Sequence, residues 1–388
     1  MISRIAAIAF ILLGTSAAWL ILGGTIEHRT YQSDDKLRSG VASIWGSPQE
    51  QGPASASYVA VGQERQVELP LDSSRIDVSL DLSHRQKGLL WYSTYVVDFV
   101  GDYTFRNPTG APQLIAYTVK LPAEHAIYDG LAMEVDGRAM PIVSDKQGAR
   151  VMAQLDSGQA ATLRVEYRSH GLESWRYRLG DEVSQAHDFV LHVRTNFKRI
   201  DFPLNALSPT EKRERPDGWD LFWQYRNLIS GFQIGVTMPE RLQPGPLAGQ
   251  ISYFAPVSLL LFFFLIFTIA TLRSIDLHPM NYFFLAAAFF SFHLLMAYLV
   301  DHISIHLAFA ICSAVSISLV VSYLRLVVGP RFAVVEAGGA QLIYLVLFSY
   351  AFFLHGFTGL AITIGCIATL FAVMQMTARI HWGDRFSR

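Results

Sequence analysis

Apolar and polar positions follow two unlike regimes along this chain. From residue 251 to 377, five apolar runs of about 20 residues follow one another almost without a break, at about 254–272, 281–300, 303–323, 334–354 and 357–377. An α-helix of that length crosses a bilayer core of about 30 Å. Backbone in hydrocarbon must satisfy its own hydrogen bonds, so the pattern predicts five transmembrane helices. A sixth run stands near the start, from Ile5 to about Gly23. Arg4 and the apolar core behind it would also suit a cleaved signal peptide. The run is long for that role and no small-x-small cleavage site follows it, so it reads as a retained anchor.

Between these regions the period shortens to two. Ile76, Val78, Leu80 and Leu82 alternate with polar residues, as a half-buried strand requires. Leu131–Val135 and Met140–Val143 flank Asp136–Gly137, and Asp-Gly suits a tight hairpin because both central positions need positive φ. Further strands are expected at 91–100, 113–120, 161–168, 188–195 and 219–238, with a helical period only near 30–45. Asn107–Pro108, Asp156–Ser157–Gly158 and Pro216–Asp217–Gly218 punctuate the strands. Many short strands with frequent turns predict an antiparallel sandwich. The expected architecture is a membrane protein with one N-terminal and five C-terminal transmembrane helices and an inserted β-rich domain. Its segments are 1–23 (anchor), 24–250 (β-rich domain), 251–380 (five-helix domain) and 381–388 (tail).

Charge then orients the chain. With six spans, Arg4, Arg273, Arg325, Arg331, Arg379, Arg385 and Arg388 fall on one side. The two short loops on the other side, Asp301–His302 and His355–Gly356, hold no Lys or Arg. The arginine side is therefore expected to be cytoplasmic, with both termini inside and 24–253 outside the cytoplasmic membrane. Lys and Arg number 31 against 32 Asp and Glu, and no basic stripe points to nucleic acid. Both cysteines, Cys312 and Cys366, lie in predicted spans, so the β-rich domain has no disulfide. The densely charged segment Thr210–Asp217 reads as a solvated hairpin tip or loop, or more sharply as a docking surface for an envelope partner. Glu336 is close enough to Arg331 to pair with it.

No catalytic or cofactor motif appears: no G-x-S-x-G, H-E-x-x-H, P-loop, G-x-G-x-x-G or Cys-x-x-Cys. His84, His125, His170, His187 and His192 match no metal-ligand spacing, although Asp188 and His187 are near His192. One constellation in the membrane region stands out. Asp301, His302 and His306 lie where the third span ends and the fourth begins. His355 lies at the same depth, and His293 is embedded two turns earlier. Imidazole and carboxylate together bind divalent metals or titrate near pH 6. The simpler reading is boundary chemistry, with Asp301 capping the next helix and His293 bonded to a neighbouring helix. On that reading there is no metal, catalytic or cofactor site.

The sequence resembles the CreD family of bacterial inner-membrane proteins. The resemblance is strongest over 188–382: DFVLHVRTNFKRIDFPLNALSPT at 188–210, GFQIGVTMP at 231–239, PGPLAGQISYFAPVSLLLFFF at 244–264 and the run from Leu277 to Phe309. It continues through VVSYLRLVVG at 320–329, QLIYLVLFSYAFF at 341–353 and Thr377–Trp382. Near the N-terminus, Trp45–Gly46, Gln49 and Gly52–Pro53 look like the family's Trp-Gly…Gln…Gly-Pro segment, and Arg85, Gly88 and Tyr92 like its Arg-x-x-Gly segment. His355 departs from the acidic residue expected before the last span, and the region 100–187 is shorter than in longer members. The resemblance implies an envelope-stress factor under two-component control, linked to colicin tolerance and normal envelope behaviour, with no reaction or cofactor.

These readings converge on a non-enzymatic protein of the bacterial inner membrane that supports cell-envelope integrity. Its β domain would face the periplasm and meet periplasmic or inner-membrane protein partners, with the lipid bilayer around its helices. A sensor of pH or metal through the His/Asp cluster is the alternative. A transporter component is a weaker one, because the spans show no inverted repeat, no Gly/Pro-broken helix pair and almost no buried charge.

Overall fold

The first helix does not stop where its apolar run ends. In the computed structural model, which describes residues 2–60, 66–87, 90–123, 126–145, 148–180, 184–354 and 356–378, α1 continues from Ile2 to Trp45. The chain divides into two compact units, Met1–Asp35 with Leu242–Arg388, and Lys36–Arg241. Helix α1 contributes to both.

The first unit is helical. Beside α1 it contains α2 (Pro244–Leu272), α3 (Pro279–Leu299), α4 (Ile305–Val327), a fifth span (Phe332–Phe353) and a sixth (Thr358–Thr377). All six are long and apolar enough to cross a membrane, as expected. Their packing is aromatic-rich: Trp19, Phe262, Phe289, Phe292 and Tyr344 share one buried cluster with Leu259, Leu285 and Leu345. The fifth span is not a plain α-helix. It runs as π-helix over Phe332–Gly338 and Leu342–Leu347, joined by an α turn at Gly339–Gln341, and ends as 3-10 helix at Ala351–Phe353. Such wide turns loosen the i→i−4 ladder and often accompany function.

The second unit is β-rich, with sixteen strands among its described residues. A three-stranded sheet takes the order β1 (Gln49–Gln51), β12 (Ser174–Tyr177), β16 (Ile234–Thr237). A five-stranded sheet takes the order β3 (Gln66–Glu68), β2 (Ser55–Val59), β6 (Gln113–Val119), β10 (Gly148–Leu155), β9 (Val143–Asp145). An eight-stranded sheet takes the order β14 (Glu211–Glu214), β15 (Trp219–Ser230), β13 (Ser184–Thr195), β4 (Leu71–Lys87), β5 (Leu90–Arg106), β11 (Ala160–Leu172), β7 (Tyr128–Val135), β8 (Arg138–Ala139). The larger sheets bury their inner faces in a common core, with Val78, Val97, Phe99 and Leu163 from one and Ile115, Tyr117 and Val151 from the other. Pairing is mostly antiparallel, as the sandwich pattern predicts. The exceptions are β13, which runs parallel to β4, and β1, which runs parallel to β12.

Local expectations meet specific outcomes. Asp136 and Gly137 take φ of 51° and 75° and turn β7 into β8, which is the Asp-Gly hairpin. Val143 does not extend that hairpin but opens β9 in the other sheet. The expected strand 219–238 breaks between Ser230 and Ile234, so β15 and β16 lie in different sheets. The charged segment Thr210–Asp217 supplies the edge strand β14, whose four residues are all exposed. Charged side chains on an edge strand discourage pairing with another chain.

Candidate functional site

The polar cluster singled out above lies where α3 gives way to α4, and its members have separate surroundings. Asp301 follows the last turn of α3 and pairs with Arg29 of α1 at 3.3 Å. The Arg29 guanidinium also donates to the Ala297 carbonyl at 2.9 Å and lies 5.8 Å from the Tyr298 ring. Asp301 therefore does not cap α4. Ser304 takes that position and makes no side-chain cap bond. The arginine draws the carboxylate because an ion pair at a half-buried boundary is stronger than a hydrogen bond to an exposed helix end. His302 is exposed. His306, on the first turn of α4, lies with its ring centroid 5.3 Å from that of Phe353. His355 lies outside the described residues. Among the described residues, no group of three or more His, Cys, Asp or Glu is placed to hold a metal ion.

His293 is 1% exposed and sits in an aromatic box. Its ring is 5.6 Å from Trp19, 4.9 Å from Phe292 and 6.0 Å from Phe289 between centroids. It does not bond a neighbouring helix, as the simpler reading expected. Nδ1 lies 3.2 Å from the Phe289 carbonyl of its own helix, and Nε2 has no partner. The preceding turn of α3 offers an acceptor within reach, and the surrounding rings offer none.

Two arginines fasten α1 to the connections at the two ends of α3. Arg4 pairs with Asp276 at 2.8 Å and donates to the Leu277 carbonyl just before α3. Arg29 repeats the arrangement at the far end with Asp301 and Ala297. Midway, Trp19 packs edge-on against Phe289 and Phe290. An arginine can make an ion pair and a carbonyl bond at once because its guanidinium presents five donors in a fixed fork. Sequence reasoning missed this arrangement. Arg29 falls six residues past the apolar run, and nothing local links it to Asp301.

A second network runs through the middle of the helices. Ser316 of α4 donates to the Ala288 carbonyl of α3 at 2.6 Å and accepts from Gln341 Nε2 at 2.9 Å. Gln341 is fully buried and its Oε1 has no partner. Ser258 of α2 donates to the Tyr344 carbonyl, and the Tyr344 hydroxyl donates to Thr369 at 3.0 Å. The visible signal was a handful of Ser, Thr and Gln inside apolar runs, which in a membrane bundle act between helices. Glu336 pairs with Arg273 of α2 and not with Arg331, its neighbour in sequence. Glu336 lies in the π-helical stretch Phe332–Gly338, and its side chain is 9% exposed.

In the β-rich unit, His192 on β13 is held between two carboxylates. Its Nδ1 is 3.2 Å from Asp77 of β4 and its Nε2 is 3.0 Å from Asp220 of β15. The Phe222 ring stacks on it at 4.5 Å. Arg194 and Arg215 also reach Asp220, at 3.6 and 3.8 Å. His187 and Asp188, its sequence neighbours, take no part. The partners come instead from flanking strands through register, since His192 lies opposite Asp77 and Phe222. Inside the sandwich, burial raises the hydroxyl pKa of Tyr95, Tyr103, Tyr167 and Tyr177, and pushes that of Tyr117 up to about 12.

Comparison with known proteins bears mainly on the helical region. Residues 226–383 match the family model described as inner membrane protein CreD. No curated protein matches the chain. Among solved structures, the chain is similar to a putative nutrient binding protein from Legionella pneumophila, with 10% identity, TM-score 0.32, and coverage of 55% of this chain and 75% of that one. It is also similar to an M1 zinc metallopeptidase from Deinococcus radiodurans, with 15% identity, TM-score 0.25, and coverage of 43% and 42%. A third is leukotriene A4 hydrolase from Saccharomyces cerevisiae, with 10% identity, TM-score 0.22, and coverage of 43% and 29%. The chain thus spans less than half the length of either hydrolase.

Proposed function

We propose, from the premise that this is a CreD-family inner membrane protein, that it supports cell-envelope integrity and tolerance of envelope stress without catalysing a reaction. In this reading the β domain lies in the periplasm and meets protein partners there, while both termini are cytoplasmic. The observation that carries it is the architecture: a β domain inserted between the first and second of six apolar helices. The arginine bias of the loops supports the orientation. Arg29, on the opposite side, is matched by Asp301 and so does not oppose that bias. The pairing of Asp301 with Arg29 and the exposure of His302 favour boundary chemistry over a sensor at the α3–α4 connection.

The test is rescue of a deletion strain under detergent or envelope-antibiotic challenge. Wild type is expected to restore growth, and so is the variant carrying Asp301→Ala, His302→Ala, His306→Ala and His355→Ala at equal membrane levels. A deletion strain no more sensitive than its parent would sink the envelope reading. Rescue by wild type but not by the variant would move the function to the polar cluster.

A further inference from the structure

The connection between α2 and α3, residues 273–278, is pinned to the helical unit at several points. Leu277 is fully buried among the helices, and His278 takes the N-cap of α3 ahead of Pro279. The His278 Nδ1 accepts from the Met280 N–H at 3.2 Å, which puts the neutral ring's proton on Nε2. Arg4 of α1 donates to Asp276 at 2.8 Å and to the Leu277 carbonyl. These contacts fix the walls of an open cleft of about 260 Å³, lined by Ser3, Arg4, Asp276, His278 and Pro279.

Much of the hydrogen-bonding capacity around this cleft is unused. Ser3 and His278 are exposed, and neither the Ser3 hydroxyl nor the His278 Nε2–H has a protein partner among the described residues. A guanidinium carries five N–H donors, and Arg4 spends one on Asp276 and one on Leu277, while its Nε–H is buried without a partner. Asp276 holds Arg4 through Oδ1. Its side chain is 92% exposed, and Oδ2 has no partner among the described residues. Donors for an anion and an acceptor for a cation therefore line one cleft. The cleft also lies where two apolar spans begin. Ile5 and Met280, each one residue beyond Arg4 and Pro279, are 38% and 50% exposed.

We propose that this cleft binds the headgroup of a phosphatidylethanolamine molecule from the surrounding bilayer. The phosphate takes the His278 Nε2–H, the Ser3 hydroxyl and the remaining Arg4 donors, as basic pockets between transmembrane helices take phospholipid headgroups. The ammonium, two carbons away, donates to Asp276 Oδ2. The acyl chains leave past Ile5 and Met280 into the hydrocarbon. Charge sets the choice among headgroups. Phosphatidylglycerol brings no cation, and its phosphate would stand against the Asp276 carboxylate. Phosphatidylcholine brings a quaternary ammonium with no N–H to donate. A soluble phosphate compound would meet the same donors but would bury no apolar surface of Ile5 and Met280.

The experiment uses the full chain, delipidated in detergent. Native mass spectrometry counts bound lipid at equal concentrations of phosphatidylethanolamine, phosphatidylcholine and phosphatidylglycerol. Phosphatidylethanolamine is expected to be held about tenfold better than either competitor, the worth of one charge-assisted hydrogen bond. Asp276→Asn keeps the side chain's shape and removes its charge, so it should erase the preference over phosphatidylcholine, and Asp276→Glu should restore it. His278→Asn keeps an N-cap acceptor but lacks the Nε2 donor, and should weaken phosphatidylethanolamine binding by about fivefold. Unchanged lipid-free melting temperatures separate these losses from misfolding. Equal retention of the three lipids, a preference for phosphatidylglycerol, or a preference unmoved by Asp276→Asn would overturn the proposal. So would equal competition, at equal concentration, by glycerophosphoethanolamine or inorganic phosphate, which would mark a soluble ligand.

Discussion

Arg29 and Asp301 lie 3.3 Å apart and join α1 to the connection that follows α3, 272 residues further along the chain. The pair is half-buried, with side-chain exposures of 35% and 20%. Removing one partner leaves the other with a desolvated, unmatched charge, whereas removing both does not. Arg29→Ala and Asp301→Ala are each expected to lower stability by roughly 1–2 kcal/mol. The double variant should lose less than the sum, by about 1 kcal/mol. Thermal unfolding of the detergent-solubilised protein measures this, and strict additivity would show that the pair contributes nothing.

The Ser316–Gln341 network predicts an asymmetry. Ser316→Ala strips Gln341 Nε2 of its acceptor and should cost about 0.5–1.5 kcal/mol. Gln341→Leu removes a buried carboxamide whose Oε1 already lacks a partner, so it should be close to neutral or stabilising. Equal losses in a thermal melt would contradict this account of the network.

The buried tyrosines make the β domain sensitive to alkali. Burial raises their pKa in the folded state, so folding holds their protons on. That contribution is complete below the unfolded pKa of about 10 and is lost as pH rises towards the folded value. For Tyr117 the window is pH 10 to about 12. Tyrosinate absorbance is expected to appear together with loss of the β-sheet circular dichroism signal. Full ionisation at pH 10 with the sheet intact would contradict it.

Gly46 adopts φ of +99°, and a Cβ there would sit 2.1 Å from the His170 carbonyl oxygen. Both backbone conformation and space exclude a side chain. Gly46→Ala should destabilise the β domain by more than about 2 kcal/mol. Limited proteolysis would report it as faster cleavage within 36–241, and an unchanged cleavage rate would refute it.

The membrane half was legible because a span declares itself by composition over about 20 residues, whatever its neighbours are. Ile76 to Leu82 and the Asp136–Gly137 turn were legible for a similar reason: alternation and positive φ are local properties. Partnership was not. Arg29 finds Asp301, and His192 finds Asp77 and Asp220, through tertiary placement that no short spacing encodes. Glu336 shows the same limit from the other side. Arg331 is five residues away in sequence, yet Glu336 pairs with Arg273. The sharp break at Ser230 was hidden because β15 and β16 both read as strand, and only sheet membership separates them.

In the proposed topology the β domain stands outside the cytoplasmic membrane on six spans whose arginine-rich loops are inside. The most direct measurement labels single cysteines in intact cells with a membrane-impermeant maleimide, in the Cys312→Ser, Cys366→Ser background. Leu204→Cys, at a site 94% exposed in the β domain, should react before lysis, and Arg331→Cys only after it. Labelling of Arg331→Cys in intact cells, with Leu204→Cys silent until lysis, would contradict the account.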